Sequence, residues 1–349
     1  MLLKLLERYG REALVTFPYA KRGLSSVSRA GRRDDAENDR VPRRTIDLTA
    51  PLDLVTVAGL HFRGRGDPTG RVSSRSLVRA TRTPDGPATL LAELRGARVE
   101  AEAWGPGADR ALEALPALLG LDDDPTGFDP SLHRVVADLA HRRPHLRIGW
   151  TAAVFESLLP AILEQKVTGG EAVTAFRGLV AGHGEPAPGP TAATHRLRLQ
   201  PSSEALAALP YYAFHPLGVE QRRADVIRRT AREALRLERL ADLPGTRLEV
   251  GIAAATVLQA LPGIGVWTAA EVTLRALGDP DAVSVNDFHL KNLVSFALAN
   301  EPRGTDERML ELLEPWRGHR ARVIRLLELS GIAAPRYGPR NASPDRRAM

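Results

Sequence analysis

Apolar residues return every three to four positions along "TAAVFESLLPAILEQKVTGGEAVTAFRGLVAGHG", residues 151–184, which gathers them on one side of a helix. The same spacing runs through "ADRALEALPALLGL" (108–121), "LHRVVADLAHRR" (132–143) and "QRRADVIRRTAREALRLERL" (221–240), the last with one arginine-rich face. "RMLELLEPWRGHRARVIRLLELSG" (308–331) reads as helix, break, helix. Upstream the period shortens. "SLVRATRT", "PATLLAELR" and "ARVEAEAWG" alternate in part, and "TPDGP" and "RGA" between them carry turn residues, so Ser76 to Gly105 predicts an antiparallel meander. "LDLVTVAGL", Leu52 to Leu60, reads as a further strand or a short helix. The proline-rich connector "EPAPGPTAATHRLRLQPSSEALAALP" opens a new helix, with Ser203 as N-cap before Glu204 to Leu209.

"GLSSVSRAGRRDDAENDRVPRR", Gly23 to Arg44, has almost no large apolar residue and cannot offset chain entropy by burial. The expected organisation is therefore a disordered extension (1–44), a small antiparallel-sheet α+β domain (45–120), an all-helical domain (121–333) and a frayed tail (334–349). The expected fold class is mostly α with a small α+β N-terminal domain.

Among 349 residues there are 48 Lys+Arg and 42 Asp+Glu, a formal charge of +6. A basic chain attracts polyanions, though an arginine-rich composition alone gives the same balance. There is no cysteine, which excludes disulfides, thiolate nucleophiles, Cys-ligated zinc and iron–sulfur clusters. No apolar run reaches the roughly 18 residues that span a bilayer. "MLLKLLERYG" carries charges inside its apolar stretch, so no signal peptide is read and a cytoplasmic location is expected.

The most informative stretch is "EVGIAAATVLQALPGIGVWTAAEVTLRAL". Ala253 to Ala260 forms a first helix, Pro262 ends it, Gly263 and Gly265 allow positive φ and close backbone approach, and a second helix begins near Val266. The first amides of that helix lack intrahelical partners, which makes an anion site, and the anion suited to a basic helical protein is a nucleic-acid phosphate. Alone, the five residues read better as a plain helix–helix turn, since short glycine motifs are common. Asp287 lies 287 − 265 = 22 residues after the second glycine, at the start of "FHLKNLVSFAL", whose Leu290, Leu293, Val294 and Ala297 share a face. An acid there is either a simple N-cap or a catalytic carboxylate.

L-P-G-I-G-x-W-T-A followed by N-D at a helix start resembles the helix–hairpin–helix DNA glycosylase superfamily, in particular its 3-methyladenine DNA glycosylase II (AlkA-like) branch. "RPHLRIGWTAAVFESLLPAILEQKVT", "LGVEQRRADVIRRTAREAL" and "LEPWRGHRARVIRLLEL" are similar to three further ordered motifs of that family. The resemblance extends from about Thr45 to Ile332. It implies two helical lobes with a cleft between them, and a monofunctional hydrolase acting on flipped-out alkylated purines in base excision repair. Gly263, Ile264, Gly265 and Thr268 would hold a phosphate, with Na+ or K+ at the backbone of Leu261 and Gly263 and no other cofactor. Asp287 would be catalytic. Trp267, Glu271 and Arg325 would line the base pocket, the last two in place of aromatic residues. Gln165 and Lys166 would contact DNA, Gln165 as the glutamine of the family's I-L-x-Q segment and Lys166 directly after it, where the family carries an apolar duplex wedge. Bifunctional relatives have a lysine at the position of Trp267, so no abasic-site lyase activity is expected. The implied partner is double-stranded DNA containing damaged bases, met by a monomer near the nucleoid and away from membranes. Tyr211, Tyr212 and Phe214 in "PYYAFHP" could stack on bases or pack in the core, and Trp267 could stack or simply brace the hairpin. His289 and His319 flank the site motifs without an evident role. Two alternatives stay open: the same fold acting on oxidised or deaminated bases, and a non-catalytic DNA-binding module.

Overall fold

The computed structural model describes residues 41–335. The meander is present as β3 (Ser76–Thr83), β4 (Gly86–Arg95) and β5 (Arg98–Trp104), and β1 (Arg43–Asp47) and β2 (Gly70–Val72) extend it at either edge. All neighbours in the order β1-β5-β4-β3-β2 run antiparallel. Val99, Ala101 and Ala103 of β5 alternate inward with Leu90 and Ala92 of β4, and they pack on the helices Leu54–Ala58 and Ala108–Glu113. Of the two readings of Leu52–Leu60 the helix is realised, because Asp53 accepts a hydrogen bond from Thr56 N at 3.1 Å and caps it.

β1 starts at Arg43, two residues inside the stretch 1–44 that composition marks as unstructured. Its residues are charged because it is an edge strand, and ion pairs from Arg43 to Glu102 and from Arg98 to Asp47 fasten it to β5. The expected disorder of residues 1–40 and fraying of 336–349 lie outside the described residues.

From residue 108 to 335 the regular elements are helices apart from a short ribbon in the connector, Glu185–Pro186 with Arg198–Leu199. Two separate apolar cores form. One gathers Val154–Leu163, Gly169–His183, Gln221–Arg232, Arg247–Gln259 and Val266–Leu277. The other gathers Arg134–Arg142, Leu290–Ala299, Asp306–Leu313 and Arg320–Glu328. The segment from Gly278 to His289 crosses from the first core to the second, and Asp287 lies on it. Asp123, just past the sheet domain, accepts two 2.8 Å bonds from Arg322 and another from Ile148 N, and this buried pair anchors the helix that carries Arg325.

Two helix starts differ from the sequence reading. Ser202, not Ser203, is the N-cap, its hydroxyl accepting from Ala205 N at 3.1 Å. The first helix of the hairpin begins at Arg247 rather than Ala253, because Thr246 and Glu249 form a capping box. The long run 151–184 is two helices, broken where Lys166 takes φ +55° and restarted by the Thr168–Glu171 capping box.

Glu238 supplies the cap that the Val154–Leu163 helix lacks in its own sequence, accepting from Val154 N at 2.9 Å and Phe155 N at 2.8 Å. Burial pushes its carboxyl up to about 7, against the two amides that favour the charged form. The folded value then exceeds the unfolded one near 4.5, so the folded state holds the extra proton between them. The associated stability is present below the unfolded value and is lost as pH rises through the folded one. Urea unfolding of wild type and Glu238→Gln at pH 5 and pH 8 reads this. The wild type is expected to lose stability relative to the variant on going to pH 8, and a pH-independent difference would refute the shifted titration.

Candidate functional site

The hairpin turn is held from three directions. Arg229 Nη1 donates to Pro262 O at 2.9 Å. Gln165 Nε2 donates to Gly263 O at 3.0 Å and to Thr268 Oγ1 at 2.9 Å. Ile264 is buried in the first core, and its N–H bonds Leu261 O at 3.0 Å. The two glycines do different work. Gly263 has φ +96°, and a Cβ there would overlap the side chain of Val226 on the neighbouring helix. Its missing side chain makes room for protein, not for a phosphate as the sequence suggested. Gly265 has open space where its Cβ would be, and it begins Val266–Leu277 without any side-chain cap. The uncovered amides are therefore those beside Gly265. Thr268 is buried, and its hydroxyl is engaged by Gln165, so it supports the turn and offers a ligand only its backbone.

Asp287 is joined to this helix by a bond that the sequence did not reveal. Trp267 Nε1 donates to Asp287 Oδ2 at 3.2 Å. The other oxygen, Oδ1, accepts from His289 N at 2.7 Å and Leu290 N at 2.8 Å. The helix proper starts at Leu290, so Asp287 caps it from outside, which realises the capping reading of this acid. The backbone before it is also tied down: Asp287 N bonds Ser284 O at 3.1 Å, and Asn286, at φ +72°, donates its N–H to Asp306 Oδ1 at 2.7 Å. Asp287 and Trp267 are both half-buried.

Trp267, Glu271 and Arg275 follow at i, i+4 and i+8, on one face of their helix. Glu271 pairs with Arg275 and accepts from Ser284 Oγ at 2.5 Å. Arg275 Nε reaches back to Leu60 O in the sheet domain at 3.2 Å. Arg325 does not pair with Glu271; its partner is Glu328 on its own helix. Both arginines act on His61, which burial, together with Arg79, Arg275, Arg63 and Arg325, holds well below its ordinary value and so neutral at pH 7. The wall beyond Asp287 is thus polar and largely self-compensated. Sequence reading missed Ser284, Arg275 and Arg229; only Arg275 had a signal, its four-residue spacing from Glu271.

Lys166 is exposed on its left-handed backbone, directly after the glutamine that grips the hairpin. Of the aromatic residues in "PYYAFHP", Phe214 is buried in the first core and Tyr212 is exposed. Among the described residues no group of three or more His, Cys, Asp or Glu is placed to hold a metal, and no helix is long and apolar enough to cross a membrane.

No family model matches the chain. Over 182 residues, 50% of its length, it is 34% identical to the "Probable bifunctional transcriptional activator/DNA repair enzyme AlkA" of Mycobacterium tuberculosis. The match takes in 34% of that protein, so the chain spans about a third of the length of the curated relatives it matches. Among solved structures it is similar to the 3-methyladenine DNA-glycosylase of Archaeoglobus fulgidus, with TM-score 0.63 and 21% identity over 82% of this chain and 97% of that one. It is also similar to the 8-oxoguanine glycosylase/lyase of Clostridium acetobutylicum, solved with double-stranded DNA containing cytosine opposite 8-oxoG. There the TM-score is 0.60 and the identity 12%, over 83% of this chain and 96% of that one. At these identities the structural likeness speaks for the fold.

Proposed function

We propose that the chain is a member of the helix–hairpin–helix DNA glycosylase superfamily and that it hydrolyses the N-glycosidic bond of damaged, alkylated purines in double-stranded DNA. The observation that carries this is Asp287: a half-buried carboxylate, oriented by two amides and by Trp267, at the foot of the hairpin. A glycosidic bond within a base stack is out of reach, so the nucleotide must first be turned out of the duplex. The amides beside Gly265 hold a neighbouring phosphate. As the C1′–N bond breaks, the base leaves with the bonding pair and positive charge grows on the sugar, and the carboxylate of Asp287 stabilises it. Water then adds at C1′ and gives up a proton to Asp287 or to solvent. A methylated cationic purine is already a good leaving group, so one carboxylate suffices.

Trp267 offers no amine where a Schiff base with the sugar would form, which supports hydrolysis without strand cleavage. Leu261 O and Gly263 O each accept one hydrogen bond and keep a second lone pair, a partial donor set to which Na+ or K+ can add. Incubation with alkylated duplex DNA, followed by mass identification of released base and by borohydride trapping, tests the proposal. Free methylpurine without a trapped adduct is expected; duplex binding with no released base from any lesion would leave a DNA-binding module.

The polar wall favours a second reading of the substrate. Arg325 stands where stacking rings are expected, and, with its charge paired to Glu328, it offers a cationic base no aromatic face to stack on. Excision of 3-methyladenine and 7-methylguanine is then expected to be slow relative to neutral hypoxanthine or 8-oxoguanine. Arg325→Trp should raise methylpurine excision roughly tenfold, the worth of one added stacking contact. Single-turnover rates on these four lesions decide it. Fast release of both methylpurines by wild type, unchanged in Arg325→Trp, would place Arg325 outside the pocket.

A further inference from the structure

Removing a nucleotide from a duplex leaves a gap that is costly unless something flat or apolar fills it. Lys166, directly after Gln165, is a poor filler because its ammonium is strongly hydrated. Another side chain near Asp287 has the properties that Lys166 lacks. Phe288 is 75% exposed, exceeded only by Tyr212 and Leu235 among the large apolar side chains of the described residues. It immediately follows Asp287. Its ring touches His289 edge-on, at 5.0 Å between centroids, and belongs to none of the apolar cores.

The backbone that presents this ring is fixed on both sides. Asp306 holds Asn286 N and also pairs with Lys291 Nζ at 2.9 Å. Asp287 Oδ1 binds the amides of His289 and Leu290. Phe288 O itself accepts from Asn292 Nδ2 at 3.1 Å, and Asn292 Oδ1 accepts from Gly304 N at 3.1 Å. A phenyl ring that a protein rigidly supports yet leaves in water gains nothing for folding; its apolar area is free for a partner. Val266, also exposed, precedes Trp267 as Phe288 follows Asp287, so the bonded Trp–Asp pair is bracketed in sequence by the two apolar side chains.

We propose that Phe288 stacks on a nucleobase exposed by extrusion of the damaged nucleotide and thereby stabilises the opened duplex, the task for which Lys166 is unsuited. The inference rests on the DNA glycosylase reading, and it adds the residue that selects opened over intact DNA. Lys166, at the exposed left-handed turn, is left to contact phosphate.

The test compares wild type, Phe288→Ala and Phe288→Trp on two duplexes, one intact and one with a tetrahydrofuran abasic analogue opposite 2-aminopurine. Stacking against a base is worth about 1–3 kcal/mol, so Phe288→Ala should bind the abasic duplex roughly 5- to 160-fold more weakly while binding intact duplex as wild type does. Its complex should show altered 2-aminopurine fluorescence, and Phe288→Trp should restore both readings. Equal loss on both duplexes would mean a general contact, and no loss on either would mean no contact; each overturns the inference, as does a wild type without preference for the abasic duplex. The two readings fail separately. If wild type releases no base yet shows the Phe288-dependent preference, catalysis is refuted and the gap-filling role stands. If it releases base while Phe288→Ala matches it in both readings, only the gap-filling role falls.

Discussion

Asp287→Asn is expected to bind damaged duplex with wild-type affinity and to release base roughly a hundred- to a thousand-fold more slowly, the usual cost of deleting one pre-oriented electrostatic group. The substitution is well controlled by the local bonding. An asparagine carbonyl can take the place of Oδ1 and keep the bonds from His289 N and Leu290 N, so the helix start survives. The amide nitrogen then faces Trp267 Nε1, donor against donor, and that bond is lost. Trp267→Phe removes the same bond while leaving the carboxylate. One hydrogen bond to a charged group is worth about 1.5–3 kcal/mol, so this variant should lose roughly ten- to a hundred-fold at most. Single-turnover excision by both variants separates the charge from its orientation. Near-normal turnover by Asp287→Asn would remove Asp287 from the chemistry and return it to a cap.

The two hairpin glycines are expected to give opposite results. Gly263→Ala must hold an L-residue at φ +96° and push a methyl group into Val226, and should lose about 2 kcal/mol or more of stability. Any loss of DNA binding in that variant would follow from the displaced turn. Gly265→Ala meets open space at an ordinary φ and should fold with stability unchanged to about 0.5 kcal/mol. Its methyl group stands where a phosphate would approach the uncapped amides. Affinity for any duplex should then fall roughly ten- to a hundred-fold, the worth of one charged hydrogen bond. Urea denaturation and salt-matched binding titrations check both. If Gly265→Ala binds as wild type, the helix start does not hold phosphate.

Patterns that depend on near neighbours were legible. The meander was visible because β3 to β5 alternate within themselves, and the hairpin because Pro262, Gly263 and Gly265 punctuate it locally. The pairing of Glu271 with Arg275 follows from helical spacing. What stayed hidden has its cause elsewhere in the chain. β1 is specified by the open edge of β5, to which its Arg43 and Asp47 form ion pairs, rather than by an apolar pattern of its own. The need for glycine at 263 comes from Val226, and the Trp267–Asp287 bond comes from the loop that crosses between the helical cores. Ser202 and Ser203 are chemically identical candidates, so only backbone geometry distinguishes them.

The two hydrogen bonds that Gln165 Nε2 donates to Gly263 O and Thr268 Oγ1 would set where deformation occurs if DNA binds as proposed. It locks the segment bearing Lys166 to the turn that would meet the backbone, while Trp267 locks the same helix to the loop bearing Asp287. Three surfaces that would touch one nucleotide and its neighbours are thereby cross-linked by hydrogen bonds. The compliance would then come from the duplex. A stiff, well-stacked step would resist being pressed into such a cross-linked template and be released, whereas a step weakened by damage would yield. Discrimination would then begin with the mechanics of the DNA, before any atom of the base is inspected.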